Sequence, residues 1–198
     1  MGARHRSNPL ALAVLALLYE QPMHPYEMAT TMRDRRKEDS IKLNYGSLYS
    51  VVQSLEKRAL IQARETGRDG RRPERTVYEI TAGGGVELLD WLSELVSVPA
   101  KDFTDFEAAL SLLGCLRPEE AVHLLEERAV RLEQELAQAE ALRRHESMAK
   151  LDRLFYIEWE YRLALRRTEL IFVKDLIRDI GDGSIAGLEH WRAFHADH

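Results

Sequence analysis

NYGSLYSVVQSLEKRALIQARETGRDGRRPERTVYEIT, residues Asn44 to Thr81, reads as a capped helix, a strand, an Arg-rich turn, a second strand and the start of another helix. Leu48, Val51, Val52, Leu55 and Ala59 recur at three and four residues, so one helix face is expected to be buried. Asn44 suits the N-cap, with Ser47 in the first turn. With Leu48 inward, a rotation of about 100° per residue turns Gly46, Ser50, Gln53 and Lys57 outward. That face is small, polar and singly basic, as a helix entering a major groove requires. Strands are expected over Ile61–Thr66 and Thr76–Ile80, with Ile61 and Ala63 on one face and Tyr78 and Ile80 apolar in the second strand. Gly67 and Gly70 permit positive φ in the turn between them. Arg64, Arg68, Arg71, Arg72 and Arg75 crowd this small hairpin. Alone it could be a solvated charged loop. Directly after a groove-compatible helix it reads as a wing that touches a DNA backbone. The order of elements is that of a winged helix-turn-helix.

Outward from this core, the chain reads as helices. Asn8 can cap a helix over 9–20 that begins with Pro9. A helix so apolar on all sides should be buried, here between the winged-helix core and a partner subunit. Further helices are expected over 25–36 and 45–59, and from a Thr81 cap to Val96, where the Gly83-Gly84-Gly85 triplet should weaken the first turn. Pro99 marks a boundary. A short apolar helix, Phe103 to Leu116, is followed by a long one from Pro118 to Ser147. Its Val122, Leu125, Ala129, Leu132, Leu136 and Ala139 form a coiled-coil-like seam. A second long helix, Leu151 to Ile180, would measure about 45 Å. Gly181 can end it, and a weak helix covers 184–196. Apolar residues lie all around that second long helix, which calls for two contact surfaces, one on its own subunit and one on a second. The expected fold is mainly α: a winged helix-turn-helix with a two-stranded wing over 1–98, and a helical dimerisation domain over 99–198.

Charge supports the division. Residues 1–82 carry 14 Lys and Arg against 10 Asp and Glu, leaving 14 and 23 of the chain's 28 and 33 for the remainder. An acidic total thus conceals a basic N-terminal half. Arg4 and Arg6 before the Leu10–Leu18 run imitate a signal peptide, but no cleavage site follows, and the run is short of the roughly 20 residues of a spanning helix. A cytoplasmic location without membrane attachment is the expectation. The lone Cys115 excludes an internal disulfide framework, and its setting among leucines points to a buried, inert thiol. No nucleotide-binding loop, metalloprotease motif or nucleophile motif occurs, so no enzyme and no cofactor is expected. His190, His195 and His198 with Glu189 or Asp197 are poorly spaced for a metal, and none is expected.

Several segments resemble the PadR family of transcriptional regulators. They are Pro25-Tyr26-Glu27-Met28, Gly46-Ser47-Leu48-Tyr49, Leu55 to Ile61, Gly70-Arg71-Arg72-Pro73, Val77 to Thr81, Gly84 and Trp91-Leu92. Together they span about residues 8 to 96, and the helical remainder resembles the longer C-terminal domain of one subgroup. Tyr45 stands where the family often has Pro, and Pro25 where it often has Gly. The resemblance implies a homodimeric regulator of double-stranded DNA, a repressor on a promoter palindrome. Its DNA contacts would come from Tyr26, Asn44, Tyr45, Gly46, Ser47, Tyr49, Ser50, Gln53, Lys57, Arg64, Arg68, Arg71, Arg72 and Arg75. Gln53 suits a two-point contact with adenine, while Ser47 and Tyr49 suit phosphate. It also implies a small aromatic or hydrophobic effector near the dimer interface, bordered by Trp91, Phe103, Phe106, Trp159 and Tyr161. These aromatics could equally fill core and interface. A winged-helix module that binds protein instead of DNA is the alternative.

Overall fold

The computed structural model describes residues 8–64, 76–144 and 152–196. The chain divides into two compact units, Met1–Lys101 and Asp102–His198.

The first unit opens with α1, Pro9–Glu20, capped where the Asn8 side chain accepts the Leu10 amide hydrogen at 3.1 Å. Leu10, Val14, Leu15, Leu17 and Leu18 are buried, and Leu12, Ala13 and Ala16 pack partly against the same core. Helix α2, Pro25–Asp34, has a cap that the sequence reading missed. The His24 ring accepts the Tyr26 amide hydrogen through Nδ1, and the Glu27 carboxylate accepts the His24 amide hydrogen. Helix α3, Tyr45–Lys57, starts from Asn44, whose side-chain oxygen accepts the Ser47 amide hydrogen at 2.7 Å.

Both helices of this pair stop about two residues before the sequence reading placed their ends. Arg36 (φ 52°) and Ala59 (φ 55°) lie in the left-handed region, which no helix residue adopts. Ala59 therefore does not continue the buried stripe of α3; it is exposed. Its amide donates to Glu56 and the Leu60 amide donates to Leu55, which closes the last turn as a Schellman motif with alanine where glycine is usual.

Strands β1, Ile61–Arg64, and β2, Val77–Ile80, pair antiparallel with Ile61 opposite Ile80 and Arg64 opposite Val77. Met23 exchanges two 3.0 Å backbone hydrogen bonds with Tyr78, tying the α1–α2 connection to the sheet. Ile61 is buried, but Ala63, expected on the same face, is exposed. The turn expected at the tip of the wing lies outside the described residues.

Helix α4, Ala82–Ser97, is capped by Thr81, which accepts the Gly84 amide hydrogen at 3.0 Å. The glycine triplet is not merely a loose start. A Cβ on Gly84 would lie 2.0 Å from the Leu60 carbonyl oxygen and 2.8 Å from the Ile80 side chain, so only glycine lets α4 approach the hairpin. Leu88 and Trp91 then join Met28, Leu48, Val52, Leu55 and Ile61 in one core. Glu87, buried on the same face, meets Arg58 at 3.3 Å.

In the second unit, α5 is shorter than expected, Asp105–Ser111, capped by Thr104. Phe103 lies before it and is 84% exposed. No residue of α5 is buried, and a 3₁₀ turn, Leu113–Cys115, follows. Cys115 is exposed, contrary to the expected buried thiol: it sits in that 3₁₀ turn, none of whose residues is buried. Helix α6, Pro118–Arg143, buries Leu125, Ala129, Leu132, Leu136 and Ala139 of the anticipated seam, while Val122 at its start is only partly buried. Helix α7, Ile157–Gly181, is about 37 Å long. It begins later than read, because Arg153–Phe155 forms a separate 3₁₀ turn. Gly181 is its last residue, and the left-handed position falls to Gly183 (φ 81°). Leu125, Ala129 and Leu132 cluster with Val173 and Ile180, whereas Leu136 and Ala139 cluster with Leu163, so α6 and α7 run antiparallel. Helix α8, Leu188–Ala196, is pinned to the α5–α6 connection by Trp191 Nε1 donating to Leu116 O at 2.7 Å and by a His195–Gly114 contact at 3.0 Å. Among the described residues no helix is long and apolar enough to cross a membrane.

Candidate nucleic-acid interface

The outward side of α3 is built by the residues that bury its other side. Leu48, Val51, Val52 and Leu55 are covered, which leaves Gly46, Ser47, Ser50, Gln53 and Lys57 exposed, with Tyr45 and Tyr49 on the flanks. Asn44 commits its carbonyl oxygen to the cap and keeps its amide NH₂ as a donor. The Ser50 hydroxyl donates to the Gly46 carbonyl at 3.0 Å, so it meets a base as an acceptor unless it rotates. No bulky side chain stands between the α3 backbone and solvent at Gly46, where the nearest atom to an added Cβ is the Asn44 side chain at 3.8 Å. Lys57 lies in the last turn, where a cation complements the helix C-terminus.

Helix α2 contributes to the same surface. The rings of Tyr26 and Tyr45 stack at 6.4 Å with planes 14° apart. Arg33 donates to the Tyr45 hydroxyl at 2.8 Å, and its guanidinium carbon lies 4.7 Å from the centre of that ring. Arg33 was absent from the sequence reading. The signal that could have found it is its spacing of seven from Tyr26, which puts both on one face of α2. Arg64 is exposed at the end of β1. Arg68, Arg71, Arg72 and Arg75 lie outside the described residues.

The aromatics suggested for an effector are divided between the two units. Trp91 is 3% exposed in the first unit's core, and its indole N–H has no acceptor among the described residues. Within the second unit, Phe106 lies under the Arg128 guanidinium at 3.6 Å and lines a cavity of about 450 Å³ with Leu113, Leu116, Leu125 and Arg131. Arg128 is itself paired with Glu169. Trp159 packs beside Leu136, Ala139 and Leu163 and meets Tyr156 edge-on. Phe103 and Tyr161 are exposed and, with Trp159, are not among the residues lining that cavity. The described residues hold no cluster of three metal-ligating side chains; His198 and Asp197 lie outside them.

The model of the Transcriptional regulator PadR-like family matches residues 14–90. No curated protein matches the sequence. Among solved structures, the chain is similar to Bacillus subtilis PadR in complex with operator DNA, at 18% identity and a TM-score of 0.67, over 87% of this chain and 99% of that one. The same protein in complex with p-coumaric acid gives 18% identity and a TM-score of 0.67, over 87% and 98%. The Vibrio cholerae virulence activator AphA gives 16% and 0.62, over 87% and 98%. At these identities the likeness establishes the fold.

Proposed function

Through residues 14–90 the chain belongs to the PadR-like family of transcriptional regulators, and from that premise we propose that it binds a promoter palindrome as a homodimer. The family is one of regulators and not of enzymes. The observation that carries the proposal is the outer face of α3: an exposed row of Gly46, Ser50, Gln53 and Lys57 opposite a fully covered apolar face. In this reading Gln53 addresses an adenine edge. Asn44, Tyr45, Ser47, Tyr49 and Tyr26 set register on phosphates, and Arg64 with the arginines of the wing holds the flanking backbone. Residues 1–98 read the DNA and residues 99–198 dimerise.

Repression follows from occupying the promoter. A regulator that works on chromosomal DNA acts in the cytoplasm. An effector of small aromatic or hydrophobic type, the class of ligand seen in the p-coumaric acid complex of a fold relative, releases it by favouring a dimer whose two α3 helices no longer match the half-site spacing.

The test is selection of random-sequence duplexes by the full chain, followed by footprinting on its own upstream region. Two protected half-sites about 34 Å apart are expected. Gln53→Ala should relax preference at one position per half-site by ~1–3 kcal/mol. Absence of binding to any duplex at low salt would overturn the reading in favour of a protein-binding winged helix.

A further inference from the structure

Tyr45 opens the helix whose outer face is the proposed reading surface, and two other side chains hold its ring. Tyr26 stacks on it, and Arg33 both lies over it and donates to its hydroxyl. We infer that Arg33 is a positioning residue that holds the Tyr45 hydroxyl ready to donate its proton to a DNA phosphate. The inference rests on the DNA-binding reading above.

The direction of the hydrogen bond makes the argument. A guanidinium has only donors, so in the 2.8 Å contact Arg33 gives the hydrogen and Tyr45 Oη accepts it. The hydroxyl proton of Tyr45 is therefore not used in that contact and is available to an external acceptor. The adjacent cation polarises the O–H bond, which strengthens its donation to an anionic oxygen. The ring contacts fix the side chain before DNA arrives, so little rotamer freedom remains to be lost on binding. Arg33 is less suited to meet the phosphate itself. Its Nη1 is committed to Tyr45, and its Nε lies 4.0 Å from the Glu38 carboxylate, which offsets its charge. Neither Arg33 nor Tyr45 is buried, so neither is a core residue whose loss would loosen the fold.

The test uses the full chain and a labelled duplex selected by the wild-type protein, with affinity measured across a salt series and melting recorded in parallel. Tyr45→Phe should weaken binding at least about tenfold, the size expected for losing a hydrogen bond to a charged group. The salt slope should not change, because no charge is removed. Arg33→Ala should weaken binding by a similar factor, again at constant slope, and should cost nothing further in the Tyr45→Phe background. Arg33→Lys should recover part of the loss, since the charge remains without the planar fork. A slope reduced by about 0.9 in Arg33→Ala, additive with Tyr45→Phe, would show that Arg33 touches phosphate directly and would overturn the inference. So would wild-type affinity in both single variants, or a drop in melting temperature that accounts for the loss. If the wild type selects no duplex at all, the DNA-binding reading fails and this one with it; if only the variants behave as wild type, this one fails alone.

Discussion

On α3, Leu48, Val52 and Leu55 are sealed by other elements of the first unit, and every outward residue is polar or small apart from the tyrosines on the flanks. On α7, Val173 is fully buried, while Ile171 and Phe172 directly before it are exposed, as are Tyr161 and Leu165. The two helices thus meet the same physical demand differently. Helix α3 has one apolar stripe and one core to receive it. Helix α7 carries apolar residues in consecutive positions, and steps of about 100° cannot direct all of them at α6. The first unit closes the core beneath α3 with its own elements, although α4 leaves Val86, Leu89, Leu95 and Val96 exposed. The second leaves apolar surface of the kind that a second subunit covers.

The strongest way to break this contrast is to separate the units. A fragment of residues 1–101 should stay folded and sediment as a monomer. Its affinity for the selected duplex should fall by roughly 10²–10⁴, the advantage lost when two linked modules become one. A stable dimer of that fragment would place the assembly surface in the first unit. Next in size is a pair of truncations. Leu48→Ala should lower stability by ~2–5 kcal/mol at any protein concentration. Ile171→Ala should leave the monomer almost unchanged and weaken only the concentration-dependent part of the melting curve. Equal effects from the two would show that α7 is covered within its own chain.

The glycine triplet sharpens the picture of the first unit. Gly84→Ala must push Leu60 or Ile80 aside, at a cost of about 3 kcal/mol. At Gly83 the nearest atom to an added Cβ is Thr81 Oγ1 at 3.8 Å, so Gly83→Ala should raise stability by ~0.5–1 kcal/mol. Ala59→Gly, which relieves a left-handed alanine, should stabilise by about 1 kcal/mol in thermal melts.

The smallest effect concerns the link between α1 and α2. Two hydrogen bonds from Arg35, at 2.6 and 2.7 Å, hold the Glu20 carboxyl below its ordinary range. Its folded pKa is depressed, so the stability it adds is present above the unfolded value of about 4.3 and is lost as pH falls through the folded one. Both groups are about half exposed, which limits the effect to under about 1 kcal/mol. Between pH 5 and 3 the wild type should therefore lose slightly more stability than Glu20→Gln. An identical acid limb in both would mean that the pair contributes nothing in solution.

Local chemistry was legible in the sequence wherever neighbours along the chain determine the outcome. Asn8, Asn44 and Thr81 cap the helices that their positions announced, because a cap needs only a side chain and the amides two or three residues on. The buried stripe of α3 and the seam of α6 followed from periodicity for the same reason. What only the tertiary structure decided depends on residues distant in sequence. That Gly84 is required rests on the Leu60 carbonyl, 24 positions earlier. That Cys115 is exposed rests on how its 3₁₀ turn packs, with none of its residues buried, which its leucine neighbours could not reveal. That Arg33 belongs to the candidate reading surface rests on a hydroxyl 12 residues away. Periodicity states which faces are apolar; only the packing of one element on another states which of those faces are covered, and by what.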